Sequence, residues 1–280
     1  VGKIYWMSAR KENIERLPIG IFDSGIGGLT VVRAIKKLLP CEDIIYLGDT
    51  ARVPYGTKSP ETVKRFAQQD AAFLYRQNIK AIVVACNTVS SWALPELERL
   101  YDMPIFGVIE PGVCAAISQT KNHRIGVIGT TATINSNTYT VAIKARDKGA
   151  RVFARPCPLL VPLVEEGWVN HPVTRQVLTI YLSPLIKNKI DTLILGCTHY
   201  PLLKPVIKKI VGDNIALVDS AQVCAQTVKQ KLGQLGFLKQ SSNSEEGNLI
   251  FYTTDAPEHF TRLAKRFLGY PVKSAWKAEL

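Results

Sequence analysis

The chain has 280 residues, 46% of them hydrophobic and 21% charged, with a formal net charge of +12. That composition excludes a disordered chain, and the length supports one large core or two smaller ones. No apolar run approaches the ~20 residues of a membrane helix. The basic residues are spread along the chain, with three in the densest cluster, 33–37, so the charge reads as a solvated surface and nucleic acid is not an expected partner.

The first 17 residues mix Lys3, Arg10, Lys11, Glu12, Glu15 and Arg16 with few apolar groups. They hold no signal-peptide core, so they are set apart as an N-terminal extension and a cytoplasmic protein is expected. From residue 19 onward, short Ile- and Val-rich runs predict strands at 19–22, 44–47, 81–85, 105–109, 125–128, 151–154, 192–195 and 215–218. Several are apolar on both faces, as buried parallel strands are. Between them, 60–75 places Val63, Phe66, Ala67, Phe73 and Leu74 on one helical stripe, and 173–186 does the same. Pro201 suits the first turn of a helix running to about residue 211. Two further helices are expected at 221–235 and 257–268, with an apolar run at 249–253 between them and an exposed loop at 239–248.

This alternation predicts an α/β protein. An internal repeat divides it: 79–88 aligns without a gap with 190–199, and 19–25 resembles 125–131 more weakly. We therefore expect two similar lobes, each a mostly parallel sheet flanked by helices, with the active site in the cleft between them. Lobe 1 comprises 18–111 plus 219–280, and lobe 2 comprises 112–218.

The repeat carries chemistry. Each copy is an apolar run ending in a small residue and a cysteine, then hydroxyl or amide groups: Ala85-Cys86-Asn87-Thr88 and Gly196-Cys197-Thr198-His199. The cysteines lie 111 residues apart. Two half-sites facing one substrate carbon would allow one sulfur to remove a proton and the other to deliver one to the opposite face. A cysteine where a strand meets a helix gains backbone N–H groups and a favourable dipole, which can lower its pKa from the free value near ~8.5. The same groups can hold a carboxylate. The bland reading, a small buried hydrophobe, suffices for Cys41, Cys114, Cys157 and Cys224, since a lone cysteine carries no such pairing. None of the six sits in a Cys-x-x-Cys pair, so free thiols are expected and a metal site is not.

Further candidates lie at strand ends, where open α/β sheets bind ligands. Asp23-Ser24-Gly25-Ile26-Gly27-Gly28 lets backbone approach a ligand. Its acidic residue argues against phosphate and suits an ammonium group, or else caps a helix. His199 can pair with the Cys197 thiol. His123, His171 and His259 stand alone, and Glu165 and Glu166 follow an apolar run as helix-end charges would.

Asp-Ser-Gly-Ile-Gly-Gly at 23–28, Pro-Tyr-Gly at 54–56, Cys-Asn-Thr at 86–88 and Gly-Cys-Thr-His-Tyr-Pro at 196–201 together resemble the glutamate racemase family, as does Phe-Tyr-Thr-Thr at 251–254. The resemblance runs from about 19 to 269. It implies racemisation of L- and D-glutamate without pyridoxal phosphate, metal or other cofactor, in the service of peptidoglycan synthesis. It implies that Cys86 and Cys197 act as acid and base, with Cys86 serving D-glutamate and Cys197 L-glutamate. Asp23, His199 and, less securely, Glu165 assist the thiols. Asp23, Ser24, Tyr55, Gly56, Asn87, Thr88, Thr130, Thr133, Thr198 and His199 contact substrate. It leaves room for a homodimer, for an activating cell-wall precursor and for a second role in binding gyrase. An aspartate or hydantoin racemase is the close rival, and a nucleic-acid- or protein-binding module is the rival of another class.

Overall fold

The computed structural model describes residues 13–239 and 246–280. Most of the expected N-terminal extension and of the loop at 239–248 lies outside the described residues.

The chain alternates between strand and helix throughout. The first half contains β1 (Ile19–Asp23), α1 (Leu29–Leu38), β2 (Ile44–Gly48), α2 (Pro60–Arg76), β3 (Ala81–Val84), α3 (Asn87–Trp92), α4 (Leu94–Leu100) and β4 (Ile105–Gly107). The second contains α5 (Ile109–Gln119), β5 (Arg124–Gly129), α6 (Thr131–Asn135), α7 (Thr138–Arg146), β6 (Arg151–Pro156), α8 (Leu160–Glu165), α9 (Pro172–Lys187), β7 (Thr192–Gly196), α10 (Lys204–Val211) and β8 (Ala216–Asp219). The chain then runs through α11 (Ser220–Gln234), β9 (Leu249–Thr253), α12 (Pro257–Leu268) and a short β10 (Trp276–Lys277).

Two all-parallel sheets result. One has the order β10-β9-β2-β1-β3-β4, the other β6-β5-β7-β8. The run β2-β1-β3-β4 matches β6-β5-β7-β8 strand for strand, so the sequence repeat is a repeat of topology. In each, the chain reverses its direction of winding between the first strand and the cysteine strand, β1/β3 and β5/β7. Crevices that bind ligands open at such switch points.

The local reasons are ordinary ones. β1, β2, β3 and β7 are buried along their whole length, which the continuous apolar runs require. α2 starts at Ser59, whose hydroxyl accepts from the Thr62 amide at 3.3 Å, with Pro60 in the first turn, a cap worth ~1 kcal/mol. Lys80 is fully buried, and its ammonium meets Glu42 and the Glu15 carbonyl oxygen (2.9 Å to the latter). Removing either partner of such a pair costs ~3–5 kcal/mol.

Differences from expectation are instructive. The strand expected over 105–109 ends at Gly107, and Ile109 already opens α5; a helix buried among apolar neighbours has no polar stripe to mark where a buried strand stops. Residues 200–203 form a 3-10 turn before α10, because Pro205 lacks the amide that a helix continuing from the first turn would use there. β10 had no sequence signal. One apolar cluster contains Ile21, Leu29 and Val83 of the six-stranded half with Leu178, Leu195 and Tyr200 of the four-stranded half. Two smaller clusters cover the remaining face of each sheet.

Candidate active site

A cavity of about 320 Å³ opens where the carboxyl ends of the two sheets face each other. Ser24 from the end of β1 and Cys86 after β3 line it from one side, and Thr130 after β5 and Cys197 after β7 from the other. Of the six cysteines, these two alone reach it.

The two sulfurs have different surroundings. Cys86 is the N-cap of α3, and its thiol donates to the Ser24 hydroxyl at 3.4 Å. Burial pushes this thiol up to about 12, with the Asp23 carboxylate adding to the rise. The helix start expected to lower it is outweighed, because desolvating a thiolate costs more than one short helix returns. No α-helix begins at Cys197; the 3-10 turn starts at Tyr200. Its partner is instead His199, whose Nδ1 lies 3.9 Å from the sulfur. His199 Nε2 lies 2.9 Å from Glu165 Oε1. Burial alone would depress the imidazole, but the bonds to Cys197 and Glu165 prevail and raise it to about 10. The Phe267 ring of α12 meets the imidazole edge-on at 5.3 Å. Glu165 is thus the member of the 165–166 pair that reaches the site.

Behind the cavity wall stands Asp23, fully buried. Its carboxylate accepts from the Gly25 amide at 3.0 Å and from the Thr198 hydroxyl at 3.5 Å. Burial raises its pKa against the opposing pull of His199. Gly27 packs so closely on this turn that a Cβ would collide with the Thr198 and His199 side chains. The Thr30 hydroxyl lies 2.9 Å from the Thr198 carbonyl oxygen.

The remaining expected residues form a polar wall. Thr88 lies 3.0 Å from Thr130 and 3.1 Å from Thr133, and those two are 2.9 Å apart, oxygen to oxygen. Thr88 and Thr130 line the cavity, whereas Thr133 stands one layer behind, as Asp23 does. Asn87 Oδ1 accepts from the Tyr139 hydroxyl at 2.7 Å, which fixes the amide's orientation. Its Nδ2 is buried with no partner among the described residues. A buried orphan donor at a cavity wall suits an anionic acceptor. Tyr55 and Gly56 line the cavity too, but the Tyr55 hydroxyl turns away from it to Asp49 and Asp70.

Sequence reasoning missed three groups. Pro158, Val161 and Pro162 form an apolar wall with no motif. Tyr139 bonds Asn87 from a helix with no motif signal, and Asp49 and Asp70, bridged by Arg52, meet the Tyr55 hydroxyl behind the cavity wall. Among the described residues no group of three or more His, Cys, Asp or Glu is placed to hold a metal ion.

Two cysteines at one cavity, a His199–Glu165 pair beside one of them and an orphan amide donor in the wall suit a small anionic substrate such as an amino acid. Comparisons with known proteins agree. The family described as Asp/Glu/Hydantoin racemase matches residues 19–228. A glutamate racemase of Syntrophus aciditrophicus is 46% identical over 272 residues, covering 96% of this chain and 99% of the relative. The crystal structure of the Francisella tularensis glutamate racemase in complex with D-glutamate superposes with a TM-score of 0.87 at 39% identity, over 95% of this chain and 98% of that one. The Escherichia coli glutamate racemase, solved in complex with L-glutamate and the activator UDP-MurNAc-ala, gives 0.74 at 27% identity, over 90% and 95%. The chain therefore belongs to the Asp/Glu/hydantoin racemase family and groups with its glutamate racemases.

Proposed function

We propose that this chain interconverts L- and D-glutamate, with Cys86 and Cys197 as the opposed acid and base. The observation that carries the reading is that these two cysteines, one from each copy of the repeat, meet at one cavity. The cavity volume suits a small substrate, at the low end of the usual range for ligand sites.

The α-hydrogen of glutamate is a very weak acid. In the step we propose, a thiolate takes it as a proton. The C–H electron pair stays on the carbon and delocalises into the α-carboxylate as an enediolate. The opposite thiol then gives its proton to the other face, and its own electron pair makes it the new thiolate. The Asn87 amide, the Thr88 and Thr130 hydroxyls and the backbone amides after the strands are donors set in advance for the developing negative charge. Asp23, behind the wall, supports the site through the Thr198 hydroxyl that bonds it. Burial holds the proton on Cys86, while the Cys197 sulfur lies beside the His199 imidazole. The resemblance to the family assigns the proton of L-glutamate to Cys197 and that of D-glutamate to Cys86, so the D-to-L direction starts from the complementary form in which Cys86 is the thiolate and Cys197 the thiol.

The test is proton NMR of L-glutamate in D₂O with the reduced protein, alongside optical rotation. Loss of the α-proton signal together with decay of rotation to zero is the expected result. A folded, reduced protein that turns over L-aspartate and leaves glutamate unchanged would overturn the reading.

Supply of D-glutamate to peptidoglycan, and a cytoplasmic site where catalytic thiols stay reduced, complete the proposal. Among the described residues no helix is long and apolar enough to cross a membrane. We extend the proposal to two lobes, 18–111 plus 219–280 and 112–218, and to a homodimer, read by sedimentation. We also propose that an activating cell-wall precursor binds this chain. A second cavity of about 820 Å³ is bordered by Arg33, Lys37, Lys204 and Lys208, a charge pattern suited to a diphosphate. UDP-MurNAc-ala should then raise turnover, and Arg33→Glu should cancel the rise.

A further inference from the structure

Five consecutive residues, 53–57, form the longest unbroken stretch of cavity wall. The stretch belongs to no strand or α-helix; Tyr55–Thr57 is a single 3-10 turn. Its backbone bonding is local, with the Lys58 amide donating to the Tyr55 carbonyl oxygen at 3.1 Å. Across the cavity it meets the other half of the molecule, where a Cβ on Gly56 would strike Thr130. Its position must be set by side chains.

One side chain reaches deep enough to do so. The Tyr55 ring is buried, and its hydroxyl bonds Asp49 and lies 3.2 Å from Asp70. Both carboxyl groups are fully buried. Arg52 spans them, with Nε 2.5 Å from Asp49 and a terminal nitrogen 2.8 Å from Asp70; another terminal nitrogen bonds Gln69. Its guanidinium lies 4.1 Å over the Phe66 ring, which packs against Tyr55 at 5.4 Å. Two carboxyls face one guanidinium, and burial together with Asp49 holds Asp70 well above the usual carboxylate range.

The cluster is tied in turn to the C-terminal part of the chain. The Thr254 hydroxyl donates to Asp49 Oδ1 at 2.9 Å and accepts from the Ala51 amide at 2.9 Å. Thr50 and Thr253 hydroxyls lie 2.6 Å apart. This gives the Phe-Tyr-Thr-Thr segment a task that the acid-base chemistry leaves unassigned.

We propose that Asp49, Arg52 and Asp70, latched by Thr254, are positioning residues that hold wall 53–57 through the Tyr55 hydroxyl and thereby set the affinity for substrate. The inference rests on the racemase reading only for the identity of that substrate. A cluster that merely stabilises the fold would change the melting temperature and leave KM alone.

The test compares Thr254→Val with Thr254→Ser and Tyr55→Phe in the full chain. We expect Thr254→Val to raise KM for glutamate about tenfold with kcat within about twofold, the scale of one lost hydrogen bond, and Tyr55→Phe to raise KM at least as much. Thr254→Ser, which keeps the hydroxyl, should restore KM. Hydrogen exchange of the 53–57 amides, measured without substrate, should quicken in Thr254→Val and not in Thr254→Ser. That readout is independent of turnover, so it separates failure of this proposal from failure of the racemase reading. Thr254 is only half-buried, so its variants carry the test if Tyr55→Phe does not fold. Unchanged KM and unchanged exchange in folded Thr254→Val would overturn the proposal.

Discussion

Glu165 reaches His199 from the end of α8 at 2.9 Å, and its backbone carbonyl is held by Arg266 of α12. The carboxylate is thus fixed on the far side of the imidazole from Cys197. The pair makes His199 a cation at neutral pH. Its pKa is raised from an ordinary 6.5 to about 10, so the stability it contributes is fully present below 6.5 and is lost as pH rises through about 10. We expect the difference in melting temperature between the wild type and His199→Asn to shrink steadily over that window. A difference that stays constant from pH 6.5 to 10 would remove the imidazolium from the account.

Cys86 should behave as a protonated thiol. With its pKa pushed up to about 12, iodoacetamide at pH 8 should modify it ~1,000-fold more slowly than a free cysteine, in proportion to the thiolate present. Raising the pH from 8 to 10 should accelerate the reaction ~100-fold, since each unit multiplies the thiolate tenfold while the thiol predominates. Peptide mass spectrometry distinguishes it from the exposed Cys114. A rate flat with pH would show that access, not ionisation, limits Cys86.

Replacing either Cys86 or Cys197 by alanine should lower racemisation by at least ~1,000-fold, the contribution of a positioned acid or base. A single variant that racemises at the wild-type rate would end the two-sulfur mechanism.

Gly27 is where the turn after β1 presses on the turn after β7. A methyl there collides with Thr198 and His199. Displacements of ~1 Å can cost ~100-fold, and that is the loss expected in kcat/KM for Gly27→Ala. Gly149→Ala is the control, since a Cβ there meets only Asp147 at an ordinary 3.4 Å. Equal activities in the two variants would contradict the geometry.

Tyr139 touches substrate nowhere in this account, yet it orients the Asn87 amide through one bond of 2.7 Å. Tyr139→Phe should raise KM about tenfold through loss of that bond, and the apolar wall beside it should be unaffected. An unchanged KM would mean that the amide is oriented by something else.

Much of this was legible beforehand because it is written in local patterns. Ile and Val runs mark strands buried on both faces, and Cys86 and Cys197 stand at the ends of two such runs. The choice of Glu165 over Glu166 came from the family resemblance alone, since both follow the same apolar run and only the path of α8 past His199 separates them in space. The protonation of Cys86 could not be read either. Its sequence position promises a lowered pKa, while its burial, a property of the assembled molecule, decides the opposite. Asp49, Arg52, Asp70 and Thr254 converge from three separate stretches, and no spacing announces a cluster built that way.

The unequal settings of the two sulfurs have a thermodynamic consequence. The enantiomers of glutamate have the same free energy in solution, so the equilibrium constant of their interconversion is one. The ratio kcat/KM must then be identical in the two directions, whatever surrounds each cysteine. The Cys197–His199–Glu165 chain and the Cys86–Ser24 pair can bias only how tightly each enantiomer is held, and every gain in turnover toward one hand is matched by weaker saturation from that side.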